Sequence, residues 1–445
     1  MGVIEPRVFR GTRDFLPEEM IHRDRIIGVM KSTFEKYGFE PLETPALEYW
    51  DVLTGKYGEE GEKLIYRLDY KGGYEVALRY DLTVPLSRVI ALYPNLPKPF
   101  KRYQIQPVWR ADKPQLRQGR FREFYQCDVD TVGSGSMLVD AEIIALTCEV
   151  LTNLGFETFR IRINNRKILA GVVEYACGDQ WPIAEVCRCI DKLEKVGLDG
   201  VKEEMRRCQI PEASVQKLIK VLQISGDIET VFREIEKELR ASEIGAAGLG
   251  EMRELFACVK GLGVPQQRCT FDLHLARGLD YYTGPIFETV LPDRPHIGSL
   301  AGGGRYDELI GLFSGVDMPA TGTTIGLDRI DTAMQQLNML EKVKTKTQVL
   351  VTLFNEETID QNLKVLKELR DGGINAETYF EGDNLKRQFT YAHRKGIPFV
   401  LILGPDELDS GQISVKEMES GQQIRVPRSS LIAYLRERLT KSRPE

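Results

Sequence analysis

One stretch limits the possible folds of this chain more than any other: Leu275-Ala276-Arg277-Gly278-Leu279-Asp280-Tyr281-Tyr282-Thr283-Gly284, followed by Pro285-Ile286-Phe287-Glu288. Cys269 to Leu275 before it and Ile286 to Val290 after it read as strands, so the polar decapeptide is predicted to connect two buried elements. It supplies a fixed cation at Arg277, a carboxylate at Asp280 and two phenols, between glycines that let backbone approach a ligand. The residues alone leave two readings open: a hairpin whose tyrosines fill core, or a binding loop.

A chain of 445 residues exceeds one ordinary core, so about two to four domains are expected. Hydrophobic content of 42% with 28% charged residues is that of a soluble globular protein. No apolar run approaches the roughly 18 residues of a membrane span. Met1 to Pro6 has neither a basic segment leading to an apolar run nor a myristoylation pattern, and a cytoplasmic protein is expected. Eight cysteines are scattered, with only Cys187 and Cys189 close together, and there are four histidines. That pattern predicts free thiols and no protein-built metal site. The net charge of −6 argues against nonspecific coating of nucleic acid but leaves room for a local basic groove.

In chain order, Pro17 is placed to start a helix through Met20, Ile26, Ile27, Met30 and Phe34, and an extended segment follows from Phe39 to Pro45. Leu64 to Leu68 and Glu75 to Arg79 read as strands about Lys71-Gly72-Gly73. Asp81 and Thr83, beyond the second strand, suit a helix N-cap as well as a ligand contact. Phe100 to Arg110 and Phe121 to Asp130 form a strand pair around a polar loop, and Arg110, Lys113, Arg117, Arg120 and Arg122 put five cations within thirteen residues. A solvated hairpin accounts for such charge, but Arg110 falls where a strand is half buried, and a buried guanidinium needs an anion. Gln126 and Asp130 share one face of the return strand.

Met137 to Leu154 is predicted to be a long helix, Phe159 to Ile163 a strand, and about Trp181 to Gly261 a run of charged helices. Leu300 to Asp307 reads as a glycine-rich turn. No lysine-Ser/Thr pair follows, which rejects a phosphate loop; glycines beside Arg305 and Tyr306 suit close approach to a flat ligand. Ala320 to Ile330 enters a helix with Gly326 and Arg329 near its start. After a polar linker, Glu341 to Thr347, four predicted strands alternate with the helices Thr358–Arg370, Leu385–Lys395 and Ser430–Leu439 as a separate α/β unit.

In this order the segments resemble the histidyl-tRNA synthetase family, of the class IIa aminoacyl-tRNA synthetases, from about Arg7 to Ala433. Pro41–Glu48, the Arg110 hairpin and Ala320–Ile330 are similar to the three class motifs, and Leu275–Gly284 and Leu300–Asp307 to the two histidine motifs; Gly119–Asp128 looks closer to the eukaryotic type. The resemblance implies an α+β catalytic core with a mixed, mainly antiparallel sheet flanked by helices (1–180 and 262–340), a helical insertion (181–261) and a C-terminal α/β anticodon-binding domain (348–445). By the same match Asp81 and Thr83 hold the amino group of histidine, although many bacterial members carry Glu where this chain has Asp81. Gln126, Asp130, Arg277, Tyr281, Tyr282 and Tyr306 complete the histidine site. Arg110 and Arg277 are implied to be catalytic at the α-phosphate, Arg120 and Arg329 to bind ATP with Arg110, and Arg117, Lys386, Arg387 and Arg394 to bind tRNA.

Imidazole presents one donor and one acceptor, so a specific site needs a partner for each nitrogen; Asp130 and Tyr282, with Tyr306 alongside, fit that need. The implied activity is a histidine–tRNA ligase that uses ATP and Mg²⁺, with histidine tRNA as partner and a homodimer as assembly. A histidine-binding regulatory subunit or a noncatalytic tRNA sensor is the alternative. Such proteins are expected to lose the C-terminal domain or the motif arginines, and this chain keeps both.

Overall fold

The computed structural model describes residues 4–57, 61–116, 119–178, 181–276, 281–340, 343–381 and 384–441; Arg117 and Arg277 lie outside them. The chain forms two compact units, one built from Ile26–Met339 with the stretch ending at Asp14, the other from Phe15–Arg25 with Leu340 onward.

The first unit is organised on an eight-stranded sheet. Its strands are β1 (Glu40–Pro41), β5 (Phe100–Trp109), β6 (Glu123–Val132), β7 (Arg160–Asn165), β8 (Cys269–Phe271), β9 (Pro285–Val290), β10 (Ala301–Arg305) and β11 (Ala320–Gly326), and their order is β1-β5-β6-β11-β10-β9-β7-β8. Pairing is parallel only at the margins, β1 with β5 and β7 with β8. A small antiparallel sheet of β2 (Leu47–Tyr49), β3 (Arg67–Leu68) and β4 (Val76–Leu78) stands apart, in the order β2-β4-β3.

Register decides what the large sheet presents. Arg102 pairs with Asp130, Asp130 with Gly322 and Gly322 with Gly304; the next rung of the same face runs Gln104, Asp128, Thr324, Gly302. Three glycines among eight positions leave a trough across the middle strands. The alternate residues Cys127, Val129 and Ile325 are fully buried on the other face, where the helix Met137–Asn153, capped by Ser136 on Leu138 N–H at 3.2 Å, packs its apolar side.

Two sequence expectations are corrected here. Leu300–Asp307 is not a turn: Gly302, Gly303 and Gly304 lie inside strand β10. A Cβ on Gly303 would meet the Gly322 carbonyl at 2.1 Å, so glycine serves close strand packing, a use that looks like turn chemistry in sequence. The strand predicted over Cys269–Leu275 stops at Phe271, because the Asp272 side chain accepts from His274 N–H at 2.9 Å and starts a turn.

Residues 183–261 are helical, ending in Glu243–Gly261, and no strand occurs there among the described residues. That last helix packs on Arg166–Cys177 so closely that a Cβ on Gly171 would stand 2.6 Å from the Gly245 Cα. The second unit has a five-stranded sheet of β12 (Val349–Val351), β13 (Ala376–Thr378), β14 (Phe399–Ile402), β15 (Gln412–Glu417) and β16 (Gln423–Pro427), ordered β13-β12-β14-β15-β16. Val349, Val351, Phe399 and Leu401 face the helices Ile359–Asp371 and Leu431–Lys441, and Leu350 and Val400 face Leu385–Lys395. Strand β16 has a single buried residue, Val426, and escaped the sequence reading because its alternation is only five residues long and ends in proline.

Candidate active site

The trough over β5, β6, β10 and β11 deepens into a cavity of about 170 Å³. Seven residues predicted for the histidine site line it: Asp81, Thr83, Gln126, Asp130, Tyr281, Tyr282 and Tyr306. They come from four separate places in the chain. Asp81 and Thr83 open the helix Thr83–Leu92, where Asp81 Oδ1 accepts from Val84 N–H at 3.1 Å and from the Tyr57 hydroxyl at 3.0 Å. Asp81 thus satisfies an N–H of the first helical turn while also lining the cavity. Its Oδ2 is buried with no hydrogen-bond partner among the described residues.

Asp130 is held from two sides. The Tyr306 hydroxyl donates to Oδ1 at 2.5 Å, and Arg102 Nη2 stands 2.8 Å from Oδ2, without an aligned hydrogen bond there. Gln126 Nε2 donates to Asp128 Oδ1 at 3.1 Å, which turns its amide oxygen toward Arg110 Nη2 at 3.3 Å. Burial, with Asp128 alongside, pushes the Asp130 carboxyl up to about 7 against the pull of Arg102. Burial pushes Asp81 up to about 6 and also raises Asp128. The phenols of Tyr57, Tyr281, Tyr282 and Tyr306 are all driven upward, chiefly by burial and then by these carboxylates, and remain donors. Three buried carboxylates thus share two cations, the wholly buried Arg102 and Arg110 in the cavity lining, and that excess of acid favours a ligand that brings an ammonium.

Arg110 joins this cavity to a second of about 380 Å³, since it lines both, with Gln126, Gly302 and Thr324. Its guanidinium stacks 4.2 Å over the Tyr80 ring and donates from Nε to the Tyr80 carbonyl at 3.1 Å. Among the described residues it has no carboxylate partner, so its charge is available to a ligand. Arg120 and Arg329 line the larger cavity too. Arg120 is paired with Asp112, and Arg329 Nη1 donates to the Ile297 carbonyl at 2.7 Å. The glycine at 298 makes room for that arginine, because a Cβ there would fall 2.2 Å from Nη1.

Lys386, Arg387 and Arg394 are exposed on the helix Leu385–Lys395 of the second unit. The buried side of that helix is fixed by Gln388, which donates to the Leu353 carbonyl at 2.8 Å. Sequence reasoning missed Arg102, Asp128 and Tyr57. The alternation that paired Gln126 with Asp130 also passes through Asp128, and Arg102, Gln104 and Gln106 alternate on β5 in the same way. Tyr57 carries no such signal.

A sheet of this order, with an arginine-bearing hairpin beside an acidic pocket, is the catalytic fold of class II aminoacyl-tRNA synthetases. The chain belongs to the histidyl-tRNA synthetase family: residues 11–330 match the family described as Histidyl-tRNA synthetase, and residues 348–438 the family described as Anticodon binding domain. It is 43% identical to the histidine–tRNA ligase of Gloeobacter violaceus over 94% of this chain and 95% of that one. It is 42% identical to that of Aeropyrum pernix over 95% and 96%. The crystal structure of histidyl-tRNA synthetase from Nostoc sp. superposes with a TM-score of 0.87 at 36% identity, over 98% of this chain and 100% of that one. No helix among the described residues is long and apolar enough to cross a membrane.

Proposed function

We propose that this chain is a histidine–tRNA ligase, which condenses L-histidine with ATP to histidyl-adenylate and pyrophosphate and then esterifies the 3′ terminal adenosine of histidine tRNA. The observation that carries this reading is Arg110 at the junction of the two cavities, where a carboxylate from the smaller would meet a phosphate from the larger. The ammonium of histidine is assigned to Asp81 and Thr83, its imidazole to Asp130, Tyr282 and Tyr306, and Gln126 and Tyr281 close the pocket.

Activation is in-line attack of the substrate carboxylate oxygen on the α-phosphorus: a carboxyl–phosphorus bond forms as the bond to the β-phosphate oxygen breaks, and pyrophosphate leaves. The carboxylate is already ionised at neutral pH, so no protein base is needed, and alignment with charge neutralisation must carry the rate. Arg110 serves the α-phosphate, as the resemblance assigns also to Arg277, while Arg120 and Arg329 serve the adenine and triphosphate end. Among the described residues no cluster of three or more His, Cys, Asp or Glu is suited to a metal. Mg²⁺, which the resemblance implies, is assigned to the pyrophosphate end of ATP, held mainly by phosphate oxygens. Lys386, Arg387 and Arg394 are assigned to the tRNA, with Arg117 at its acceptor end, and the active assembly is read as a cytoplasmic homodimer.

Histidine-dependent exchange of labelled pyrophosphate into ATP, without tRNA and with other amino acids as controls, tests the first step. Exchange with histidine alone is expected. Histidine binding without exchange would transfer the reading to a regulatory or sensing role.

A further inference from the structure

The wholly buried guanidinium of Arg102 has no part in the reaction described above, yet it stands against Asp130, which lines the smaller cavity. Its Nη2 is 2.8 Å from Asp130 Oδ2 and 3.9 Å from Asp128 Oδ2, and donates to the Leu82 carbonyl at 3.2 Å. Nη1 donates to Gln104 Oε1 at 3.3 Å. Leu82 stands between Asp81 and Thr83, so one side chain ties the end of the pocket assigned to imidazole to the end assigned to the ammonium.

We propose that Arg102 is a positioning residue for substrate selection, holding Asp130 as an ionised acceptor so that the pocket takes histidine with a neutral imidazole whose N–H is directed at Asp130. The inference rests on the assignment of histidine to this cavity. Asp130 faces Arg102 from β5, Asp128 on its own strand, Tyr306 beyond β10, Tyr282 from the loop before β9, and Asp81 from the loop before Thr83–Leu92; β11 contributes Gly322, with no side chain. Three carboxylates so placed cannot all stay ionised without a cation among them. Tyr306 donates to Oδ1 and Oδ2 is buried against Arg102, so it is as an ionised acceptor at Oδ1 that Asp130, which lines the cavity, can take a substrate N–H. As a neutral acid Asp130 would offer a donor in that place, the wrong partner for an imidazole N–H. Burial drives it toward the acid, and Arg102 is the largest influence in the other direction.

The test is the pH profile of KM for histidine in pyrophosphate exchange, with kcat read separately, for the unaltered protein, Arg102→Met, Arg102→Lys and Asp128→Asn. The substrate's own groups titrate alike in every assay, so differences between profiles belong to the protein. In the unaltered protein KM should rise as pH falls through the range where Asp130 gains its proton. Arg102→Met should move that limb upward by about one pH unit or more, which is about fivefold or more in KM at neutral pH for a carboxyl titrating near 7, with recovery at high pH and little change in kcat. Arg102→Lys keeps a charge without the guanidinium fork and should fall between. Asp128→Asn removes a like charge beside Asp130 and should move the limb the other way. If Arg102→Met does not fold, the last two variants decide. Coincident limbs, or a pH-independent rise in KM, would overturn the proposal and leave Arg102 a structural ion pair. Absence of histidine-dependent exchange in the unaltered protein would instead sink the histidine assignment itself, and this inference with it.

Discussion

A Cβ on Gly322 would stand 2.0 Å from Asp130 Oδ1 and 2.7 Å from the Val129 carbonyl, so this glycine is where the Asp130 carboxylate finds its room. Gly322→Ala should displace the carboxylate from Tyr306 and raise KM for histidine by about tenfold or more, roughly 1.4 kcal/mol of lost binding, with the fold retained. Exchange kinetics and circular dichroism check the two halves of that statement; an unchanged KM would remove Asp130 from the pocket's binding set. Asp81 gives a pH prediction of definite sign. Its carboxyl is raised to about 6 by burial, and only the ionised form attracts an ammonium. Histidine affinity should therefore fall as pH drops through about 6, measured by calorimetry. Asp81→Asn should bind weakly and lose that step while keeping the step due to the substrate imidazole; a step unchanged in the variant would contradict the assignment. At this scale the alternation of strand residues made Gln126 and Asp130 legible, and the resemblance supplied Asp81, Thr83 and the tyrosines. Arg102 stayed hidden because its partner is fixed by strand register, which local spacing does not encode.

Helices carry the next prediction. Gly171 of Arg166–Cys177 and Gly245 of Glu243–Gly261 lie where the two backbones nearly touch, and the Ser242 hydroxyl, which caps the second helix on Gly245 N–H at 3.1 Å, lies 2.9 Å from a Cβ built on Gly171. Gly171→Val places branched carbons against backbone that cannot yield, and overpacking of this kind costs about 1–3 kcal/mol, occasionally more. Thermal unfolding should shift down by several degrees while exchange per folded molecule stays near normal; an unshifted transition would mean the crossing relaxes freely. The same economy of glycine explains where element prediction failed. In Gly302–Gly304 the absence of side chains serves strand packing and a ligand trough, and composition cannot distinguish that from a turn. Elements with an apolar period were read nearly in full, Leu385–Lys395 to the residue, because helix Ala392 and strand Phe399–Leu401 must face a core.

At the scale of the whole chain, the chemistry is assigned to one unit and most of the tRNA contacts to the other. Every described residue given to histidine or ATP belongs to the first, whereas Lys386, Arg387 and Arg394 sit exposed in the second. Activation of histidine needs no tRNA, so the two functions should separate cleanly under mutation. The combined variant Lys386→Glu, Arg387→Glu, Arg394→Glu alters only exposed positions, and its stability should stay close to that of the unaltered protein. Its pyrophosphate exchange should match the unaltered protein, while KM for histidine tRNA in charging should rise by about tenfold or more, since every phosphate that the protein ceases to neutralise keeps its counterion. The salt dependence supplies the sharper criterion: the slope of log affinity against log salt should flatten by about 0.7 for each single-strand phosphate that goes unneutralised. A weakened variant with an unchanged slope would mean that these cations act through folding of the helix. An unchanged KM would place tRNA recognition on another face of the second unit.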